Sequence, residues 1–206
     1  MPGVAGRDSA SVVDSAGLAN SLPLRTWIRS VFFGWVLGIV VVIFLAVIGD
    51  AIGARGSQLA VGLGMGLGVG FTQERALRPV TGALTRWPGV SALGLALPFL
   101  FGDVSRLIGI GIPYSLYGTI VIAGLVIGTF QSRLLPPAVA SRGAWILANV
   151  VGWTLAAVSV AWADTFTRTL GVRGIAGALI YLGVVASGGV ALGLATGLAL
   201  RRSRAS

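Results

Sequence analysis

The chain has 206 residues, of which 55% are hydrophobic and 10% are charged, and its mean hydropathy is +0.92. Its formal net charge of +9 comes from fifteen arginines without any lysine, and the sequence contains neither cysteine nor histidine. Such a composition predicts a membrane protein, and the missing residue types exclude disulfides, thiol chemistry and histidine-based metal ligation.

Residues 1–24 are small and polar and show no apolar periodicity, so we predict a disordered cytoplasmic tail there and a six-helix transmembrane domain at 25–202. A helix of about 20 residues crosses the hydrocarbon core of a bilayer, and continuous apolar runs favour helices over barrel strands. The third run is short and contains Pro98, so we expect its helix to begin within 81–86, with local thinning of the bilayer as the alternative. The charge-free runs are 31–49, 56–73, 87–102, 107–132, 143–163 and 174–200.

Arginine is unevenly distributed between the two sides of this six-span topology. Eleven arginines fall in the N-terminal tail, residues 74–86, residues 133–142 and the C-terminus, whereas four fall on the opposite side. By the positive-inside rule, both termini are predicted to be cytoplasmic. The arginine-only, alanine- and glycine-rich composition is typical of high-GC bacteria and predicts the bacterial cytoplasmic (inner) membrane. The expected partner is therefore the lipid bilayer, and no nucleic-acid partner is expected.

A pattern of glycine and glutamine recurs along the chain. The first copy runs from Gly66 through Gly70 to Gln73, and each matched position of the second copy is displaced by 58, so that Gln131 corresponds to Gln73. A third copy has Leu200 in place of glutamine. We interpret the glycines as helix-packing faces, with a glycine-lined solute path as the alternative. The glycines at four-residue spacing are Gly62, Gly66 and Gly70, then Gly124 and Gly128, then Gly189, Gly193 and Gly197.

The odd-numbered spans repeat as well. Trp27, Trp87 and Trp145 each precede a glycine by seven residues, and each odd span ends near an aspartate. A unit of two spans returns the chain to the same side, so the copies are predicted to be related by a pseudo-threefold axis along the membrane normal. The predicted fold class is all-α, a polytopic membrane bundle of six transmembrane helices. It consists of three tandem two-helix hairpin repeats, at about 25–79, 80–137 and 138–202.

Polar side chains are predicted to gather at the cytoplasmic mouth of this axis, where two amides and three guanidinium groups would contact an anion or another solute. We favour the alternative that the arginines anchor helix ends to lipid phosphates. These candidate residues are Gln73, Arg75, Gln131, Arg133 and Arg202.

Two charge pairs are predicted at the outer interface. Asp103 and Arg106 are three residues apart and Asp164 and Arg168 are four apart, so each pair meets if its helix continues that far. We interpret them as solvated pairs, with an ion-selective ring as the alternative. Because neither histidine nor lysine is present to act as a base for a serine nucleophile, and the aspartates lie in separate loops, no catalytic, metal or cofactor site is predicted. An interfacial lipid enzyme is a further alternative, and it requires clustered carboxylates.

The motif Gly-x-x-Gln-x-x-x-Leu, followed by tryptophan, occurs at 70–77 with Trp87 and at 128–135 with Trp145. In this motif the chain resembles a loose group of uncharacterised bacterial multi-span membrane proteins with repeated hairpins. The resemblance covers about residues 27–200 and implies no activity. We expect a non-enzymatic integral membrane protein that serves as a packing or scaffold subunit beside other membrane subunits. The alternative is a small solute transporter or channel that uses the pseudo-threefold axis and contains a continuous polar or hydrated path.

Overall fold

The computed structural model describes residues 22–54, 56–110, 116–171 and 174–202. These residues form an all-α bundle, which confirms the predicted class. The tail predicted at 1–24 lies outside the described residues up to residue 21, and its last residue already belongs to the first helix. The helices are α1 (Leu24–Ala51), α2 (Leu59–Thr81), α3 (Trp87–Leu107), α4 (Leu116–Ser132), α5 (Arg142–Leu170) and α6 (Gly174–Arg202).

Four of these helices, α1, α3, α5 and α6, are long and apolar enough to cross a membrane. Helix α4 has 17 described residues, which span about 26 Å at a rise of 1.5 Å per residue. Helix α2 has 23 residues, but glycines and a polar last third make it less apolar than the other helices. The described chain is therefore a helical membrane bundle with four candidate spans.

Several helices extend beyond the charge-free runs. Helix α1 already begins at Leu24, and α5 continues through Asp164 to Leu170. The expected start of the third helix within 81–86 is wrong, because α2 continues to Thr81 and α3 begins at Trp87. Gly82 adopts φ +73° at the end of α2, a conformation that glycine adopts without strain.

The six helices close into a ring. Consecutive helices pack mainly against each other, and the last helix, α6, packs against the first, α1. We call the end where α1, α3 and α5 begin the tryptophan end, because Trp27, Trp87 and Trp145 lie in their first turns. The opposite end is the aspartate end. Its aspartates are Asp50, Asp103 and Asp164, near the ends of the same three helices.

Glycines in α2 lie where neighbouring backbones approach most closely. A Cβ atom added to Gly66 would lie 2.5 Å from Ala92 Cα of α3, and one added to Gly68 would lie 2.5 Å from Gly38 Cα of α1. Real Cβ atoms do not approach other atoms this closely. Only glycine therefore permits this spacing, which increases the dispersion contacts between helices.

The glycines at four-residue spacing pack in the same way on all three even-numbered helices. Each of these faces, on an even-numbered helix, contacts the odd-numbered helix that comes next around the ring. Gly62, Gly66 and Gly70 face α3; Gly124 and Gly128 face α5; Gly189, Gly193 and Gly197 face α1. The glycine faces are therefore occupied within the chain itself.

Candidate functional site

Three tryptophans fill the inside of the ring at the tryptophan end. Trp27, Trp87 and Trp145, which we call the tryptophan cluster, are almost completely buried. The ring centroid of Trp145 lies 6.2 Å from that of Trp27 and 5.8 Å from that of Trp87, both in edge-to-face arrangements. This arrangement is favourable for aromatic rings. The cluster closes this end of the interior.

Every indole N–H of the tryptophan cluster has a partner on an even-numbered helix. Trp87 Nε1 donates to Gln73 Oε1 at 3.2 Å, and Trp145 Nε1 donates to Gln131 Oε1, also at 3.2 Å. In both cases the tryptophan follows the glutamine by 14 residues. The two hairpins thus use the same donor and acceptor at the same spacing.

The two buried glutamines also contact each other. Gln131 Nε2 donates to Gln73 Oε1 at 3.1 Å and to Ser91 Oγ at 2.7 Å. Ser91 Oγ donates in turn to the carbonyl of Trp87 at 2.7 Å. A buried amide without partners is costly, so this network explains how the ring accommodates both glutamines.

The third indole of the cluster is paired differently. Trp27 Nε1 donates to Thr196 Oγ1 at 2.9 Å, and Thr196 Oγ1 donates to the carbonyl of Leu192 at 2.7 Å. The position that the sequence pattern aligns with glutamine here is Leu200, which is buried. Thr196 precedes it by one helical turn and takes over its acceptor role. Sequence reasoning missed Thr196; the signal was a hydroxyl on the same helix face, one turn from the expected amide.

The residues that were predicted to contact a solute do not lie together in the structure. Gln73 and Gln131 are 1% and 0% exposed. Arg75 and Arg133 lie on exposed surface, where their guanidinium carbons lie 4.4 Å and 6.0 Å from the ring centroids of Phe71 and Phe130. Arg202 ends α6, and its side chain lies outside the described set. The amides and the two described guanidinium groups therefore do not form one site.

A central cavity of about 250 Å³ lies inside the ring. Trp35 and Trp153, which line it, follow the cluster members Trp27 and Trp145 by about two helical turns, or roughly 12 Å. Gln58 and Leu116 also line it and stand at the aspartate-end termini of α2 and α4, so the cavity extends toward that end. All six helices contribute to its wall, with Trp35, Met65, Leu95, Ile120, Trp153 and Val185 as one residue from each.

The two tryptophans of the cavity wall have no hydrogen-bond partner within the described part of the chain. The ring centroids of Trp35 and Trp153 lie 5.4 Å apart, with their planes tilted by 35°. Both side chains are 3% exposed, and neither Nε1 atom has a partner among the described residues. Nearly all buried polar groups in proteins are paired. We call Trp35 and Trp153 the unpaired tryptophans.

Asp103 forms the first of the predicted outer pairs and also reaches a second helix. Its carboxylate is hydrogen-bonded by Arg106, by Ser57 Oγ at 2.7 Å, and by the backbone N–H groups of Gln58 at 2.8 Å and Leu59 at 2.9 Å. Sequence reasoning missed this capping of α2 by α3, because it depends on contact between two helices and not on spacing within one. The carboxylate satisfies N–H groups that a helix start leaves unpaired.

Asp164 forms the second outer pair. Its Oδ2 atom lies 3.7 Å from Arg168 Nη2 and accepts a hydrogen bond from Tyr117 OH at 2.8 Å. The pair meets because α5 continues past Asp164, as the four-residue spacing requires. Tyr117 belongs to α4, so this contact joins two helices beside the aspartate end of the cavity.

The described residues contain no group of three or more histidine, cysteine, aspartate or glutamate side chains that could hold a metal ion. The tryptophan cluster and the two glutamines form a closed layer at the tryptophan end, and the apolar cavity lies next to this layer. No family model matches this chain, and no curated protein or solved structure is significantly similar to it.

Proposed function

We propose that the chain is a non-enzymatic integral membrane protein that holds a small apolar solute in the central cavity. The observation that carries this proposal is the cavity of about 250 Å³ lined by residues of all six helices. Ligand sites in helical bundles lie between the helices and are mostly apolar. An engineered cavity of about 150 Å³ holds benzene, so by proportion this one accommodates about ten non-hydrogen atoms.

The same proposal includes six spans, three hairpin repeats and a pseudo-threefold axis. It is supported by the two tryptophan–glutamine pairs with identical spacing and by the glycine faces, each of which contacts the next odd-numbered helix. We also propose that the tryptophan end is cytoplasmic in a bacterial inner membrane, on the arginine distribution. A topology reporter inserted near Arg78 and near Arg142 should report the same side; opposite sides would contradict this arrangement.

Binding accounts for the geometry better than free conduction does. A channel requires a continuous polar path through the bundle, but the tryptophan cluster fills the inside of the ring at one end. A solute in the cavity would have to displace buried indoles and the glutamine network to leave by that end. Passage through the ring would therefore require a second conformation, whereas binding in the cavity requires none.

A subunit of a membrane complex is the second proposal. The glycine faces that first suggested it contact helices of the same chain, so a partner would have to bind elsewhere. The observation in its favour is the apolar outer surface, on which Trp162 of α5 is 63% exposed. Co-purification in mild detergent tests it, and a protein that runs alone at every detergent strength contradicts it.

Filling the cavity tests the proposed function. Val185 of α6 lines the cavity, whereas Val190 of the same helix is exposed on the outside. The probe is 4-fluoro-α-methylstyrene, which has ten non-hydrogen atoms, titrated in detergent and observed by ¹⁹F NMR. We expect saturable binding to the wild-type protein and to Val190→Phe, and at least tenfold weaker binding to Val185→Phe because the phenyl ring occupies the space. Unsaturable partition that is equal in all three proteins would contradict the proposal.

A further inference from the structure

The unpaired tryptophans set the chemistry of the cavity. Trp35 and Trp153 each bury an indole N–H without a partner among the described residues, although every indole of the tryptophan cluster below them is paired. A buried donor without an acceptor costs free energy that an acceptor on a ligand would recover. Two such donors in the wall of one cavity therefore point to an occupant that carries an acceptor.

The remaining wall excludes a charged occupant. None of the described residues that line the cavity is charged. Gln58 and Tyr181 supply the other polar groups, and Gln58 stands at the aspartate end, away from the tryptophan cluster. Burying an ion in such a wall without a countercharge is very costly. The occupant is consequently neutral, with an apolar body of about ten non-hydrogen atoms, as estimated by proportion from the benzene-sized cavity.

We infer that the cavity binds a small neutral molecule whose carbonyl-type oxygen accepts a hydrogen bond from Trp35 or Trp153. This inference rests on the proposed function and deepens it. Both Nε1 atoms are buried against their neighbours, so pairing requires a small rotation of the indole, which the broad second side-chain torsion of tryptophan allows. The third repeat position equivalent to these residues is Leu95, which offers no donor. The polar group of the ligand therefore lies on the side of α1 and α5.

Two probes of nearly equal shape separate hydrogen bonding from simple filling. In 4'-fluoroacetophenone a carbonyl oxygen replaces the methylene group of 4-fluoro-α-methylstyrene, and the rest of the molecule is unchanged. We expect the wild-type protein to bind the ketone about fivefold more tightly than the alkene, the factor for one neutral hydrogen bond. The ratio should fall to about one in Trp35→Phe/Trp153→Phe. Partition of a probe into detergent does not depend on the protein variant. It therefore cancels when the affinity of one probe is compared between variants.

Trp27→Phe is the matched control, because its indole is paired with Thr196 and does not line the cavity. It should keep the fivefold ratio. A ketone-to-alkene affinity ratio that is the same in the wild-type protein and in the double variant would overturn the inference while leaving the proposed function intact. Failure of both probes to bind the wild-type protein would instead overturn the proposed function.

A measurement on the wild-type protein covers the case in which the double variant does not fold. The indole ¹H–¹⁵N resonances of Trp35 and Trp153 report directly on hydrogen bonding. We expect the ketone to move at least one of them downfield and the alkene to leave both nearly unchanged, with Trp27 constant throughout. Equal shifts with both probes would contradict the hydrogen bond. A co-purified phospholipid whose acyl chain blocks both probes equally would contradict a small neutral ligand.

Discussion

Two layers of tryptophans inside the same ring have opposite surroundings. In the tryptophan cluster, the indole N–H groups donate to Gln73, Gln131 and Thr196. About two helical turns further on, the unpaired tryptophans donate to no described residue and line a cavity. The tryptophan by itself thus does not decide whether the interior is filled. What decides it is the side chain that the even-numbered helix presents at that level.

The largest loss of stability is expected from a substitution that separates two helices at a level between the two tryptophan layers. The change Gly66→Ala places a Cβ atom 2.5 Å from Ala92 Cα, so α2 and α3 must separate. We expect a loss of about 3 kcal/mol or more in the free energy of unfolding, measured by denaturant titration in mixed micelles. Packing should weaken in both tryptophan layers, because both depend on the close spacing of α2 and α3.

Gly183→Ala of α6 is the control for this change, since no described residue outside the adjacent backbone of α6 lies within 4 Å of the added Cβ position. It should stabilise the protein by about 0.5–1 kcal/mol through helix propensity. A neutral effect of Gly66→Ala would show that the helix contact adjusts, and it would contradict the tight spacing.

The next effect is confined to the tryptophan cluster. Gln131→Leu removes the acceptor of Trp145 and the donor to Gln73 and Ser91. We expect a loss of about 2–3 kcal/mol, because buried polar groups are left without partners. Thr129 is half-buried on the same helix, and its hydroxyl donates to the carbonyl of Leu125 within that helix. Thr129→Val should change stability by less than about 0.5 kcal/mol. Equal stability of Gln131→Leu and the wild-type protein would mean that the network contributes nothing.

The smallest effect compares one tryptophan from each layer. Trp27→Phe and Trp35→Phe delete the same atoms, but the first removes a paired N–H and the second an unpaired one. The loss of buried ring area is similar in both variants, so it cancels in the difference. We expect Trp27→Phe to be less stable than Trp35→Phe by about 1–2 kcal/mol in the absence of added ligand. If Trp35→Phe were the less stable of the two variants, the indole N–H of Trp35 would be paired in solution.

The sequence predicted most of the helical architecture but not the extent of the helices. Charge-free runs located all six helices, because apolar length is a strong signal. Their ends were harder to predict, since α1 includes Arg25 and Arg29, and α5 includes Asp164 and Arg168. Charged residues in terminal turns extend toward the interface and do not end a helix.

The candidate site was predicted only in part, for reasons that differ between its residues. The sequence pattern predicted that Gln73 and Gln131 gather at one end of the bundle, and the two amides form a hydrogen bond there. The separation of Arg75 from Gln73 follows from helix geometry, because residues two apart do not share a face. The central cavity could not be predicted, since its size depends on side chains from six helices that no spacing within one helix reveals.

The contact between α6 and α1 has a consequence for how the protein is made. Trp27 pairs with Thr196, which is 169 residues later in the chain. Until the ribosome has delivered α6, that indole must remain unpaired among lipids or bind a temporary neighbour. Closure of the ring therefore cannot precede the insertion of α6, and a nascent chain stalled before α6 should be a target for membrane quality control.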